Sequence, residues 1–154
     1  MKNISFLLAL IIACLIQSTW LDSFKIFNTK PDLILIAVLL SIILLDNKWA
    51  IFLAILGGVL KDSLGVNPFG LNSILFLCWF ILIKRVVKEM EIEDNFRRAI
   101  LILIIVFLHN LITGLFLVYT GRYIAPGIFL RNLLLVLLYA AAVIPLAFKL
   151  TRDL

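Results

Sequence analysis

Charge is the scarcest commodity in this sequence. Asp, Glu, Lys and Arg make up 15% of its 154 residues, against about 25% in ordinary soluble domains. The mean hydropathy is +1.20, a value that excludes a soluble globular domain. Histidine and cysteine are nearly missing too. His109 stands alone, and Cys14 and Cys78 lie inside apolar runs, where they read as buried small hydrophobes and not as a disulfide. Metal-ligand spacing is therefore absent. So are a Ser-His-Asp constellation and a phosphate-cradling glycine loop ahead of lysine and serine or threonine. The chain does not read as an enzyme, and it implies no cofactor. A net charge of +5 would suit nucleic acid, but these basic residues sit beside apolar runs, where they set membrane topology.

What the chain has in abundance is membrane-grade apolar sequence, at 64% hydrophobic residues. The expected fold class is an all-α integral membrane protein, one domain over 1–154. Its six helices are expected at about 4–21, 32–45, 49–64, 70–84, 99–120 and 128–150, since a span takes about 20 residues. Lys2 with Ile4 to Ile12 imitates a signal peptide, and Ile11-Ile12-Ala13-Cys14 imitates a lipoprotein cleavage box. The apolar run continues past Cys14 to Leu21, so a retained first helix is the reading. Trp20 falls where an interfacial ring would sit. Pro31 suits the first turn of helix 2, where its missing N–H is not needed.

Six spans put both termini on one side. That side holds Lys2, Lys48, Lys84, Arg85, Lys88, Arg97, Arg98, Lys149 and Arg152, and the other holds Lys25, Lys30, Lys61, Arg122 and Arg131. The excess places both termini in the cytoplasm. The polar stretch from Lys84 to Arg98 reads as a charged connector with room for a short helix. Its i,i+4 pairs are Arg85 with Glu89, Glu93 with Arg97, and Asp94 with Arg98.

Against this background, aspartates between apolar runs stand out, because a carboxylate at membrane depth is costly. Helices 2 and 3 are short, about 20 Å and 18 Å at 1.5 Å per residue, against a hydrocarbon core of about 30 Å. If the turn Asp46-Asn47-Lys48 lies at the inner surface, Asp32, Lys61 and Asp62 fall below the outer one. They would then line an outward polar recess, with Lys30, Lys61 and Arg131 as candidate cations. Each aspartate has a plainer reading beside this one. Asp32 suits the first turn of helix 2 through the helix dipole, and Asp62 suits a pair with Lys61 or a water layer. On the recess reading, Asp62→Ala disturbs partner association more than folding. Gly57 and Gly58, and the pair Ala9 and Ala13, read as close helix packing. Gly65, Pro68 and Gly70 read as loop-shaping. His109 beside Asn110 reads as a hydrogen-bonding pair between helices.

Three segments carry a family resemblance. They are Gln17-Ser18-Thr19 closing helix 1, Pro31-Asp32-Leu33 opening helix 2, and the block from Gly57-Gly58 through Lys61-Asp62-Ser63-Leu64-Gly65 to Asn67-Pro68-Phe69-Gly70-Leu71-Asn72-Ser73. Together the chain resembles the MreD family of rod shape-determining proteins, with Lys61 as a departure where an apolar residue is expected. The resemblance implies a non-catalytic scaffold subunit of the cell-elongation, peptidoglycan-synthesising machinery. It would bind MreC, meet RodA and a class-B penicillin-binding protein through MreC or directly, and touch MreB on the cytoplasmic side. The alternative is an S component of an ECF-type vitamin transporter, which is similar in six-helix architecture. There the recess would hold a small solute, and Ala9 and Ala13 would dock a coupling subunit. The outer loops lack the aromatic and polar cluster that a vitamin pocket needs, with Trp20 and Tyr123 as exceptions.

Overall fold

A computed structural model describes residues 2–19, 32–65, 68–121 and 125–152. They form six α-helices, α1 Lys2–Thr19, α2 Leu33–Leu44, α3 Asn47–Leu64, α4 Leu71–Glu89, α5 Asn95–Tyr119 and α6 Pro126–Arg152. Trp20, the loop from Asp22 to Lys30, Pro31 and Tyr123 lie outside the described residues.

The helix ends depart from expectation at the inner connections. α4 runs on to Glu89 and α5 begins at Asn95, so the charged connector shrinks to residues 90–94. Lys and Arg are strong helix formers, and Arg85 faces Glu89 one turn on at 4.0 Å. The helix stops in a Schellman arrangement, with Glu91 at φ +46° and the Ile92 N–H donating to the Val87 carbonyl. Of the three expected ion pairs, Arg85–Glu89 forms. Asp94 instead meets Arg97 at 3.7 Å, and Arg98 donates to the Ile92 carbonyl. α3 starts two residues early, with Asp46 in the N-cap position.

α2 is the centre of the bundle. Its sequence, Leu33-Ile34-Leu35-Ile36-Ala37-Val38-Leu39-Leu40-Ser41-Ile42-Ile43-Leu44, is apolar on every side, and such a helix must be surrounded. Eight of its residues are buried, and it packs against α1, α3, α4 and α5. Ser41 is satisfied within the helix, its hydroxyl donating to the Val38 carbonyl at 2.7 Å. Phe76 and Ile83 of α4, Leu53 of α3, and Ile102 and Ile105 of α5 complete the core.

α5 and α6 form the second unit of packing. The segments Asn95–Tyr119 and Pro126–Lys149 are each long and apolar enough to cross a membrane. Gly114 lets them approach, because a Cβ there would lie 2.1 Å from the Phe129 ring. Large apolar side chains cover the exterior, from Ile4 and Leu15 on α1 to Leu138 and Leu146 on α6. That surface suits lipid rather than water. Cys78 belongs to it and is exposed, contrary to the buried place expected, while Cys14 packs against the core.

Candidate functional site

The amide and charged side chains set into the apolar helices converge at one level of the bundle. Asp32 is the N-cap of α2, and its Oδ1 accepts the Leu35 N–H at 3.1 Å. Gln17, from the last turns of α1, accepts the neighbouring Ile34 N–H at 3.2 Å. Two of the orphan donors at the start of α2 are thereby satisfied. The other carboxylate oxygen of Asp32 takes the Lys61 ammonium of α3 in a short ion pair. Lys61 then touches His109 Nε2 of α5 at 2.9 Å and lies 5.6 Å from the centre of the Phe76 ring. The Trp79 indole of α4 donates to His109 Nδ1 at 3.2 Å. Since an indole N–H only donates, Nδ1 is the accepting nitrogen; a neutral ring then carries its proton on Nε2, so the Lys61 ammonium lies beside that nitrogen without a hydrogen bond to it. Five helices thus meet through Gln17, Asp32, Lys61, Trp79 and His109.

Asp62, next in sequence to Lys61, points the other way. It is 4% exposed and sits against the start of α4. Oδ1 accepts the backbone N–H and side-chain amide of Asn72, at 3.0 and 2.8 Å. Oδ2 accepts the N–H of Gly70 at 2.9 Å, the N–H of Ser73 at 3.2 Å and the Ser73 hydroxyl at 2.9 Å. Gly70 itself has no capping side chain and adopts φ +99°, a left-handed conformation that suits glycine. A carboxylate on α3 therefore does the N-capping work for α4, favoured by that helix's dipole.

These contacts engage Asp32, Lys61 and Asp62 within the bundle. Asp32 and Lys61 neutralise each other with side chains 13% and 14% exposed, and Asp62 is taken up by backbone and side-chain donors. Of the other expected residues, Arg131 is exposed on α6, while Lys61 is the cation on Asp32. Gly57 and Gly58 do permit close packing. A Cβ at Gly57 would fall 2.3 Å from Val38 Cγ2, and one at Gly58 would fall 2.4 Å from the Ser73 Cα. Ala13 is buried but Ala9 is exposed, so the two do not form one packing stripe within this fold. Gly65 ends α3 in extended backbone. Asn72 is wholly buried, with its carbonyl oxygen unpaired. Asn110 donates back to the Val106 carbonyl at 2.8 Å, within its own helix.

Three contributors were not anticipated. Gln17 was visible as a polar residue in an apolar helix, and Trp79 as an indole needing an acceptor. Lys84 looked like a topology charge, yet its ammonium donates to the Leu45 carbonyl at 2.7 Å and so closes the far end of α2. Among the described residues no three His, Cys, Asp or Glu side chains gather as a metal set.

A separate cavity lies elsewhere. A groove of about 770 Å³ runs between α5 and α6, lined by Leu103, Ile104, Phe107, Leu134, Leu138 and Ala141, with Leu108 and Leu137. Every lining residue is apolar.

Compared with known families, residues 1–154 match the family described as rod shape-determining protein MreD. No curated protein and no solved structure matches the chain.

Proposed function

Since the chain belongs to the MreD family of rod shape-determining membrane proteins, we propose that it is a multi-pass scaffold subunit of the cell-elongation machinery. It binds MreC in the bacterial inner membrane, with both its own termini in the cytoplasm. Through MreC or directly it meets RodA and a class-B penicillin-binding protein, and its inner connections are available to MreB. The observation that carries the reading, beside family membership, is how the polar groups are used. Asp32, Lys61 and Asp62 are engaged inside the bundle, so their first duty is to the fold. Recognition then falls to the exterior. The apolar groove between α5 and α6 is the surface we assign to the single membrane helix of MreC, which would cross it and pack by van der Waals contact.

The test is affinity purification of the tagged chain from native membranes in mild detergent, with mass spectrometry of what co-elutes. MreC together with the RodA synthase is the expected result. Leu138→Gln, a change at an exposed groove residue, should reduce MreC recovery while the chain itself is extracted normally. A coupling protein with two ATPase subunits in place of MreC would overturn the proposal in favour of an ECF-type S component.

A further inference from the structure

The ends of three helices come together opposite the Asp62 cap, and cations outnumber carboxylates there. α2 ends at Leu44, α3 begins at Asn47 and α4 runs out at Glu89. A cavity of about 600 Å³ is lined there by Leu45, Asp46, Asn47, Lys48 and Lys84. A second, of about 480 Å³, is lined by Lys84, Arg85, Lys88 and Glu89. Lys84 belongs to both, and its ammonium is pinned by the Leu45 carbonyl. Four cations therefore face two carboxylates. Glu89 is the weaker opponent, since it lies 4.0 Å from Arg85 with both side chains well exposed.

Just below these charges the same helices are apolar on their outer faces. Lys48 continues along α3 into Phe52, Ile55 and Val59, each three or four residues on and each exposed. Arg85 continues along α4 into Ile81, Cys78 and Ile74, exposed in the same way. Trp49, edge-on to Phe52 at 6.0 Å, marks the change of level as interfacial indoles do. A cationic cradle directly above an apolar flank matches one kind of molecule, an anion carrying acyl chains.

We propose that the joined cavities lined by Lys48, Lys84, Arg85 and Lys88 form a binding site for an anionic phospholipid, with its phosphate among the cations and its chains along α3 and α4. Lys84 is the fixed element of the site. Lys48 and Lys88 are exposed and close on the headgroup. Asp46 and Glu89 limit the net positive charge, so the site selects an anionic headgroup over a zwitterionic one by electrostatics. The proposal is independent of which protein partner the chain binds.

The probe is dioleoyl phosphatidylglycerol, added to delipidated protein in detergent and followed by native mass spectrometry. Dioleoyl phosphatidylcholine and inorganic phosphate serve as the comparison arms. The variant is Lys48→Gln with Lys88→Gln, which leaves the Lys84–Leu45 contact intact, and Lys149→Gln is the control for a basic residue on α6. Phosphatidylglycerol should be retained in preference to phosphatidylcholine. The double variant should weaken that retention by roughly tenfold or more, with Lys149→Gln like the wild type. Equal retention of the two lipids would overturn the proposal, and so would unchanged retention in the double variant. Displacement of the lipid by millimolar inorganic phosphate would also overturn it, by assigning the cations to a soluble anion.

Discussion

Replacing Asp62 by alanine should cost the protein a large share of its stability. The carboxylate accepts hydrogen bonds from Gly70, Asn72 and Ser73, five in all. Loss of an N-cap alone is worth about 1 kcal/mol. Asn72 is wholly buried, so its N–H and its amide would both be stranded, at about 1–3 kcal/mol each. Ser73 and Gly70 are less deeply placed, and water entering the vacated space recovers part of their loss. The net expectation is about 3–5 kcal/mol. For a chain of this size that is a fall of roughly 10 °C in thermal midpoint. Asp62→Asn keeps one acceptor oxygen and should fall between. Ser63→Ala removes an exposed hydroxyl that only bonds back to Val59 and should move the midpoint by no more than about 2 °C. The assay is heating in mild detergent followed by size-exclusion chromatography. A midpoint for Asp62→Ala within about 2 °C of the wild type would refute the capping argument. It would also return Asp62 to the role that its sequence first suggested, as a partner-docking group whose loss spares the fold.

Two further substitutions test the interior. Lys61→Met leaves Asp32 facing an apolar side chain and should destabilise by roughly 2–3 kcal/mol, somewhat less than a fully buried pair, while Asp32→Asn in the same chain should restore part of it. Strict additivity of the two single changes in a double-mutant cycle would show that the ion pair contributes nothing. Gly58→Leu must push the α4 backbone away, because a Cβ there meets the Ser73 Cα and not a movable side-chain tip. The folded fraction recovered in detergent should drop sharply, and an unchanged thermal profile would remove the close-packing claim.

The helices were legible because apolar runs broken by Gly-Pro and charged turns have few other meanings at this hydropathy. Their ends were less so. Arg85, Lys88 and Glu89 lie in a stretch whose sequence reads as a charged connector with room for a short helix, yet α4 continues through them, because charge alone does not end a helix. The glycines at Gly57 and Gly58 were read as contact points, and each touches a different neighbour, α2 and α4. The aspartates stand out in the sequence, but what they bind does not. Sequence shows that a carboxylate at membrane depth needs partners; it does not show whether those partners are solvent, ligand or backbone. For Asp62 the partners are eight to eleven residues ahead in the same chain, across a loop whose geometry decides everything. For Asp32 the partner was correctly included among the cations, but its further contact with His109 depends on how α5 docks. No local spacing encodes that.

The deeper reason for these charges lies in the length of α2. Twelve residues make a helix of about 18 Å, too short to cross a hydrocarbon core about 30 Å thick. With its last carbonyls beside the charged turn at Asp46 and Lys48, its unpaired N–H groups open at a depth where water is sparse, and each would be expensive to leave unmet. The flanking helices meet them. Gln17 from α1 and Asp32 from the cap position serve the first turn, with Lys61 neutralising Asp32, and Lys84 from α4 serves the last carbonyl. In a bundle built around a buried short helix, a handful of polar residues thus becomes a requirement of folding before it is available for function. That shifts the search for the partner-binding surface outward, to the α5–α6 groove and to the basic ends of α3 and α4. There the side chains have no such duty, apart from Lys84.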